Sequence, residues 1–261
     1  MKQFILNTKP DGNGRIRLES GDYRYLVRVR RLAPGEYFPA LLPDGAEVLV
    51  RVCSVDNRTL VGEIFNDEAF PSGNTYPGSP LPPIILFQAL PKGEKMDLIV
   101  RQAAEGGLTE VVPFVSEFSA VKMEKSGGQK FSRWERIIKE ARQQSGSGTA
   151  TVIRQPLSID GLFAYWEQIN IQQPGVLGLL FHHLPLAKIS LHGYLDSSPK
   201  TVVLTIGPEG GFSPAEAERF LAAGFKPFTV GDTILRTETA ALYAQAAVRI
   251  LLWEKDSWEM K

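Results

Sequence analysis

Residues 71 to 80 read Pro71-Ser72-Gly73-Asn74-Thr75-Tyr76-Pro77-Gly78-Ser79-Pro80, and the rhythm of the chain differs on its two sides. Proline cannot donate a backbone hydrogen bond and glycine resists being ordered, so no helix or strand runs through such a stretch. The segment reads as a linker and marks a domain boundary, with one domain over 1–75 and another over 76–261.

The first domain reads as all-β. Runs with strand character cover Tyr23–Val29, Tyr37–Leu42, Glu47–Val55 and Thr59–Ile64. Turn signals separate them at Ala33-Pro34-Gly35, Pro43-Asp44-Gly45 and Asp56-Asn57. Short strands at this spacing predict a small barrel or sandwich. In the first run Arg24, Arg28 and Arg30 fall on one strand face, with Arg31 beside them and Tyr23 and Tyr25 on the other. Such a face suits RNA phosphates. It is equally the pattern of a solvated strand face.

The second domain alternates strands and helices. Ile84–Leu90, Glu110–Val115, Val176–Phe181 and Thr201–Ile206 read as short apolar strands. Helices are predicted over Glu94–Glu105, ended by Gly106-Gly107, over the basic amphipathic stretch Ser132–Ser145, and over Gly161–Gln168. This alternation predicts a mostly parallel sheet with helices on its faces, an α/β class.

Two strand–loop–helix junctions near the C-terminus carry the chemistry. Thr201–Ile206 runs into Gly207-Pro208-Glu209-Gly210-Gly211. Ser213-Pro214-Ala215-Glu216 then opens a helix with a capping box, and Gly224 ends it. In open α/β sheets ligands bind beyond the carboxyl ends of strands. The second junction is a strand over Pro227–Gly231, a loop Asp232-Thr233-Ile234-Leu235-Arg236, and a helix Glu238–Trp253 capped by Thr237. That helix is apolar on more than one side, which suits a core position combined with a subunit interface. The glycine spacing fits neither a Rossmann fingerprint nor a P-loop.

Composition excludes several classes. No apolar run reaches the roughly 18–20 residues that span a bilayer, so no membrane association is expected. The opening MKQFILNTKPDGNG turns polar within a few residues, unlike a secretory signal, so the expected location is the cytoplasm. The single cysteine, Cys53, cannot form an internal disulfide and reads as a core or structural residue of a strand, not a nucleophile. Twenty-nine basic residues balance 29 acidic ones, so nucleic-acid binding must come from local patches. The basic helical stretch Lys130–Arg142 is a second such patch. His182-His183 lacks neighbours at ligand spacing, and no metal is expected. Trp134 and Trp166 read as packing residues.

The two junctions, Ile206-Gly-Pro-Glu-Gly-Gly-Phe-Ser213 and Ile234-Leu-Arg-Thr-Glu-Thr-Ala240, resemble the RsmE family of bacterial 16S rRNA uridine N(3)-methyltransferases in the SPOUT superfamily. Similarity extends upstream through Pro91-Lys-Gly-Glu-Lys-Met-Asp97, Glu110-Val-Val-Pro113, Arg133-Trp134, Glu140-Ala141, Gln144-Ser145-Gly146 and Val29-Arg-Arg-Leu-Ala-Pro-Gly-Glu36, and so over essentially the whole chain. The resemblance implies a PUA-like β-barrel that binds RNA, followed by an α/β domain with a C-terminal trefoil knot. It implies S-adenosyl-L-methionine (SAM) as cofactor, ribosomal RNA or the small subunit as partner, and a homodimer. The SAM site then falls on Thr205, Ile206, Gly207, Gly210, Gly211, Gly231, Ile234, Leu235 and Thr237, mostly through backbone groups. Arg236 is the first candidate for a catalytic side chain, in contact with RNA phosphate or uracil oxygens; an ion pair with Glu209 or Glu238 is the alternative. Glu209 either assists proton removal or accepts backbone N–H bonds and shapes the turn. Arg24, Arg28, Arg30 and Arg31 are the RNA-binding candidates.

The chain departs from the family at a cluster of positions. Gln102 stands in place of a lysine, Gly106 of a leucine, Phe118 and Ser147 of arginines, and Tyr25 of a histidine. Three cations are thereby missing. This leaves open a different RNA target, or an RNA-binding paralogue without turnover. Lys122, Arg133 and Arg142 are the residues that would take the missing cations' place.

Overall fold

The computed structural model describes residues 4–43, 46–65, 81–119, 127–182, 189–229 and 231–255. The segment 71–80, the turn residues Asp44 and Gly45, Lys122, His183 and Val230 lie outside them. The chain forms two compact units, residues 1–78 with 142–150 and residues 79–141 with 151–261.

The first unit is built on a five-stranded sheet in the order β1-β3-β4-β5-β2. Its strands are β1 (Phe4–Ile5), β2 (Arg15–Glu19), β3 (Tyr37–Leu41), β4 (Glu47–Val55) and β5 (Thr59–Phe65). All pairings are antiparallel except β1 with β3. In β2 the arginines and the glutamate face out while Ile16 and Leu18 face in, the period of 2 expected of a half-buried strand. The inward residues pack with Phe4, Leu26, Phe38, Val50 and Leu60 in one core.

Two expectations fail in this unit. Tyr23–Val29 is not a strand but the end of a short helix, α1 (Ser20–Tyr23), continued by a π-helical turn (Arg24–Val29). Tyr23 and Leu26 are the buried residues there, a spacing of three that matches a helix as well as the apolar alternation matches a strand. Arg24, Arg28 and Arg30 therefore do not share a strand face. Cys53 is exposed, not core, because β4 buries Val50 and Val52 and alternation turns Arg51 and Cys53 outward. The register of β4 against β5 shifts between Val52 and Ser54, a bulge that leaves Ser54 outside the alternation.

The second unit holds a seven-stranded parallel sheet in the order β12-β10-β11-β6-β7-β8, with β9 also on β7. Its strands are β6 (Ile84–Ala89), β7 (Glu110–Val115), β8 (Val152–Ile153), β9 (Leu157–Ser158), β10 (Val176–Phe181), β11 (Thr201–Ile206) and β12 (Lys226–Phe228). The helices are α2 (Lys95–Glu105), α3 (Gly127–Ser145), α4 (Ile159–Gln172), α5 (Leu191–Leu195), α6 (Pro214–Ala222) and α7 (Thr237–Trp253). β6 and β11 are buried on both faces, which is why they read as unbroken apolar runs.

Two cores sandwich this sheet. On one face Ile84, Leu86, Val202 and Leu204 meet residues of α2, α3 and α7. On the other, Ile85, Phe87 and Val203 meet α4 and α6 through Leu162, Trp166, Ala217 and Phe220. Trp134 and Trp166 are buried, with their indole N–H groups donating to Asp97 and to the Ala223 carbonyl. In α7, Ala240, Ala241, Ala244 and Val248 face inward, while Leu242, Tyr243, Ile250 and Trp253 are exposed.

Candidate active site

β6, β10 and β11 end side by side, and the loops that follow enclose a cavity of about 500 Å³. Its wall contains Ile206, Gly207, Glu209, Gly210, Gly211, Ile234, Leu235, Arg236 and Thr237. The two junctions singled out in the sequence, 28 residues apart by their first members, thus converge on one site. Thr205 lies buried just behind the wall, its hydroxyl without a partner among the described residues. Gly231 is exposed and does not line the cavity.

The first loop is shaped by what a side chain would collide with. A Cβ on Gly207 would lie 3.2 Å from the backbone of Gly211 and 3.3 Å from the Phe212 ring. Gly211 sits at φ +71, the left-handed region where glycine pays no steric cost. The loop then enters α6 through the expected capping box. Ser213 Oγ accepts from Glu216 N at 3.3 Å, and Glu216 accepts from Ser213 N at 3.1 Å. The buried Glu216 carboxylate also accepts from Glu117 N at 2.8 Å, which fastens the loop after β7 to the start of α6.

The second loop is tied to the first by Thr237. It is not the helix cap: Arg236 occupies that position and makes no side-chain cap bond. Thr237 is instead the first helical residue and is buried. Its hydroxyl donates to the Gly207 carbonyl at 2.6 Å and accepts from Gln88 Nε2 at 3.0 Å. Gln88, at the end of β6, has no exposed surface and also donates to the Ala89 carbonyl. Its Oε1 has no partner among the described residues. One threonine therefore locks together the end of β6, the glycine loop and the start of α7.

The ion pair of Arg236 with Glu209 or Glu238, one of the two readings in the sequence, is not formed. Lys95, not Arg236, pairs with both acids, at 2.7 Å from Glu209 and 3.7 Å from Glu238. Glu209 also accepts from Lys92 N at 3.0 and 3.3 Å. Burial alone would raise the Glu209 pKa, but the Lys95 ammonium and the backbone donors outweigh it and hold the carboxyl below its usual range. The hydrogen bond to Glu209 raises the Lys95 pKa. Arg236 is exposed and makes no ion pair or side-chain hydrogen bond among the described residues. It is an available cation on the cavity wall. Lys95 was legible only as part of the motif Pro91–Asp97; nothing local to Glu209 or Glu238 pointed to it.

Other candidates fall elsewhere. Arg24 and Arg28 line a second cavity, of about 720 Å³, within the first unit, together with Arg17, Arg58, Asn57 and Tyr23. Arg30 and Arg31 do not line it. Arg133 is engaged with Asp97 at 2.5 Å and Glu94 at 3.3 Å, and Arg136 with Glu140 at 3.8 Å, so much of the basic stretch 130–142 is internally compensated. His182 lines the active-site cavity, and no cluster of metal-binding groups occurs among the described residues.

A family model described as an RNA methyltransferase domain matches residues 77–249. The chain belongs to this RNA methyltransferase family. A protein of Synechocystis named ribosomal RNA small subunit methyltransferase E is 32% identical over 91% of this chain and 73% of its own length. A protein of the same name from Aquifex aeolicus is 32% identical over 86% of this chain and 90% of its own. Among solved structures, ribosomal RNA small subunit methyltransferase E from Neisseria gonorrhoeae, bound to S-adenosyl methionine, superposes with a TM-score of 0.80 at 27% identity, covering 96% of this chain and 98% of that one. The resemblance to a family of SAM-dependent rRNA methyltransferases is borne out, and the chain is an enzyme of this kind.

Proposed function

We propose that this enzyme uses SAM to methylate N3 of a uridine in the 16S rRNA of the small ribosomal subunit. The observation that carries the reading is the cavity at the ends of β6, β10 and β11, walled by two loops that Thr237 and Gln88 hold in one fixed arrangement.

The residues present fit SAM. Gly207, Gly210 and Gly211 leave the backbone open where side chains would fill the space, so amide and carbonyl groups can reach an adenosine. Ile206, Ile234, Leu235 and Ala240 supply the apolar part of the wall. When bound, SAM supplies an electrophilic methyl on a sulfonium. The chain's part is to fix the two loops, exclude water and place a cation near the base. Uracil N3 carries a proton at neutral pH, and its loss leaves negative charge on the ring oxygens. Arg236, charged and uncommitted, is suited to stabilise that charge or a neighbouring phosphate. Glu209 does not suit the role of base. A general base works best with a pKa near the operating pH, and Glu209 is held low and saturated by Lys95 and Lys92. It positions the loop.

Three further assignments complete the reading. The first unit is a PUA-like barrel whose Arg24 and Arg28, with Arg17 and Arg58, grip RNA phosphates; Arg30 and Arg31 extend the basic surface beside them. The second unit is a trefoil-knotted SPOUT domain: after the edge strand β12 the chain returns to the centre of the sheet, where Thr237 sits beside Gly207. An experimentally phased chain trace through 229–237 checks the knot. The exposed apolar side of α7 packs on a second copy, giving a homodimer. Acting on ribosomal subunits, the enzyme works in the cytoplasm; no helix among the described residues is long and apolar enough to cross a membrane.

The direct test is transfer of a labelled methyl group from SAM to purified small subunits that lack the modification. Incorporation into 16S rRNA is expected. SAM binding without transfer to these subunits would redirect the assignment to another RNA or to a non-catalytic paralogue.

A further inference from the structure

Phe118 is 47% exposed. A single exposed phenyl ring is ordinary on a surface; what sets Phe118 apart is the anchoring of its loop and its place beside the glycine loop. The backbone on either side of Phe118 is anchored. Its loop closes on itself through Ser119 N to the Ser116 carbonyl at 3.0 Å and Ser116 N to Ser119 Oγ at 3.1 Å. Glu117 N, one residue before it, is anchored at 2.8 Å to the buried carboxylate of Glu216. The side chain lies directly over the cavity wall: a Cβ on Gly210 would be 2.9 Å from Phe118 Cβ and 3.4 Å from its Cγ.

We infer that Phe118 is a stacking platform for an unpaired base of the RNA substrate, and so a specificity-determining residue of the reaction. The inference rests on the methyltransferase reading above. Three features combine: a flat apolar surface open to solvent, a backbone that cannot swing it away, and a position against the loop that walls the methyl-donor cavity. Chemistry at N3 needs the base out of any pairing, because N3 lies on the Watson–Crick edge. An unpaired base loses its stacking partners and regains one on an aromatic side chain. Arg236, on the same cavity wall, would then meet the polar edge of the base or its phosphate while Phe118 meets its face. Because stacking is not ionic, this contact persists at high salt, unlike a phosphate contact made by an arginine at the same position.

The test compares the parent enzyme with Phe118→Ala, Phe118→Leu and Phe118→Trp. Three quantities are measured: SAM affinity by calorimetry, retention of unmodified small subunits on filters, and methyl transfer to them. Stacking predicts that Phe118→Ala and Phe118→Leu weaken subunit binding and lower kcat/KM by about tenfold or more, with SAM affinity within about twofold of the parent. Phe118→Trp retains both. The loss persists undiminished when salt is raised. Equal performance of Phe118→Leu and the parent would show that bulk over Gly210 suffices, and would overturn the inference. So would a parallel loss of SAM affinity, which would make Phe118 only a support for the glycine loop. A parent that binds subunits but does not methylate them would contradict the functional reading alone, since the binding arm still reports on stacking.

Discussion

At the residue scale, the site depends on positions where nothing larger than hydrogen is tolerated. Gly210 is hemmed in by Phe118, whose Cβ would lie 2.9 Å from any Cβ placed there. Gly210→Val is expected to weaken SAM binding at least tenfold in calorimetry while the melting temperature stays close to the parent's, because the loop lies on the surface of the fold; affinity within twofold of the parent would remove Gly210 from the site. The Lys95–Glu209 pair gives a second prediction. A carboxylate with a lowered folded-state pKa stabilises the fold above its unfolded value and loses that contribution as pH falls through the folded one. A lysine with a raised pKa contributes below its unfolded value and loses it as pH rises through the folded one. Lys95→Met should therefore cost a constant amount, about 1 kcal/mol for a pair this exposed, between the ordinary values of 4.5 and 10.5. Thermal melts of parent and variant should converge only outside that window, in acid below it or in alkali above it. A difference that vanishes at neutral pH would contradict the pairing.

The same scale accounts for one position where the resemblance implies a leucine. A Cβ on Gly106 would meet Gln245 Oε1 at 3.2 Å and the Gln102 carbonyl at 3.1 Å. Gln245 fills that space and donates to the Gln102 carbonyl at 3.2 Å. The small residue on α2 and the amide on α7 form one unit. Residue identities in the two C-terminal motifs were readable because they are dense in glycine and caps. The pairing of Lys95 with Glu209 was not, since it joins residues 114 apart through tertiary folding alone.

At the element scale, strands buried on both faces announce themselves. β6, β7, β10 and β11 read as apolar runs with bounds within a residue of those observed. The capping box of α6 was legible for the same kind of reason: it is a local exchange of hydrogen bonds between Ser213 and Glu216. Short elements were less readable. β8 and β9 have two residues each, too few for any period to show. β2 did carry a signal, the alternation in Arg15-Ile16-Arg17-Leu18-Glu19, which went unread. Tyr23–Val29 reads as a strand because Tyr23, Tyr25, Val27 and Val29 alternate, but the residues it buries, Tyr23 and Leu26, are three apart as in a helix. α7 was read as burying several faces, and the structure covers only one of them. Leu242, Tyr243, Ile250 and Trp253 recur at helical spacing on the other and are 37 to 54% exposed. Equilibrium sedimentation of the parent should give twice the chain mass, and Leu242→Glu combined with Tyr243→Glu should give a monomer. A monomeric parent would contradict the dimer.

At the scale of the whole molecule, neutral net charge conceals a division of labour. The α/β unit holds the cavity proposed for the cofactor, and the β unit carries a separate cavity lined by Arg17, Arg24, Arg28 and Arg58. Of these, only Arg17 is paired among the described residues, with Glu19 at 2.7 Å. Each cation that neutralises a phosphate should contribute about one unit to the slope of log K against log salt. Arg24→Ala and Arg28→Ala are each expected to flatten that slope by about one unit in subunit binding, without changing SAM affinity. Unchanged slopes would take the RNA contact away from this cavity. The division into two units was visible from the change of rhythm at residues 71–80, but the inclusion of 142–150 with the first unit was not. That segment takes in the last turn of α3 and the residues that follow it, and only three-dimensional contacts assign it.

The central claim is that this chain places a methyl group on N3 of a uridine in small-subunit rRNA. Nucleoside mass spectrometry of 16S rRNA, after incubation of unmodified subunits with the enzyme and SAM, tests it most directly. The account predicts 3-methyluridine, absent when Gly210→Val replaces the parent. A preparation that binds SAM in calorimetry yet leaves no 3-methyluridine, or methylates a different position, would contradict it.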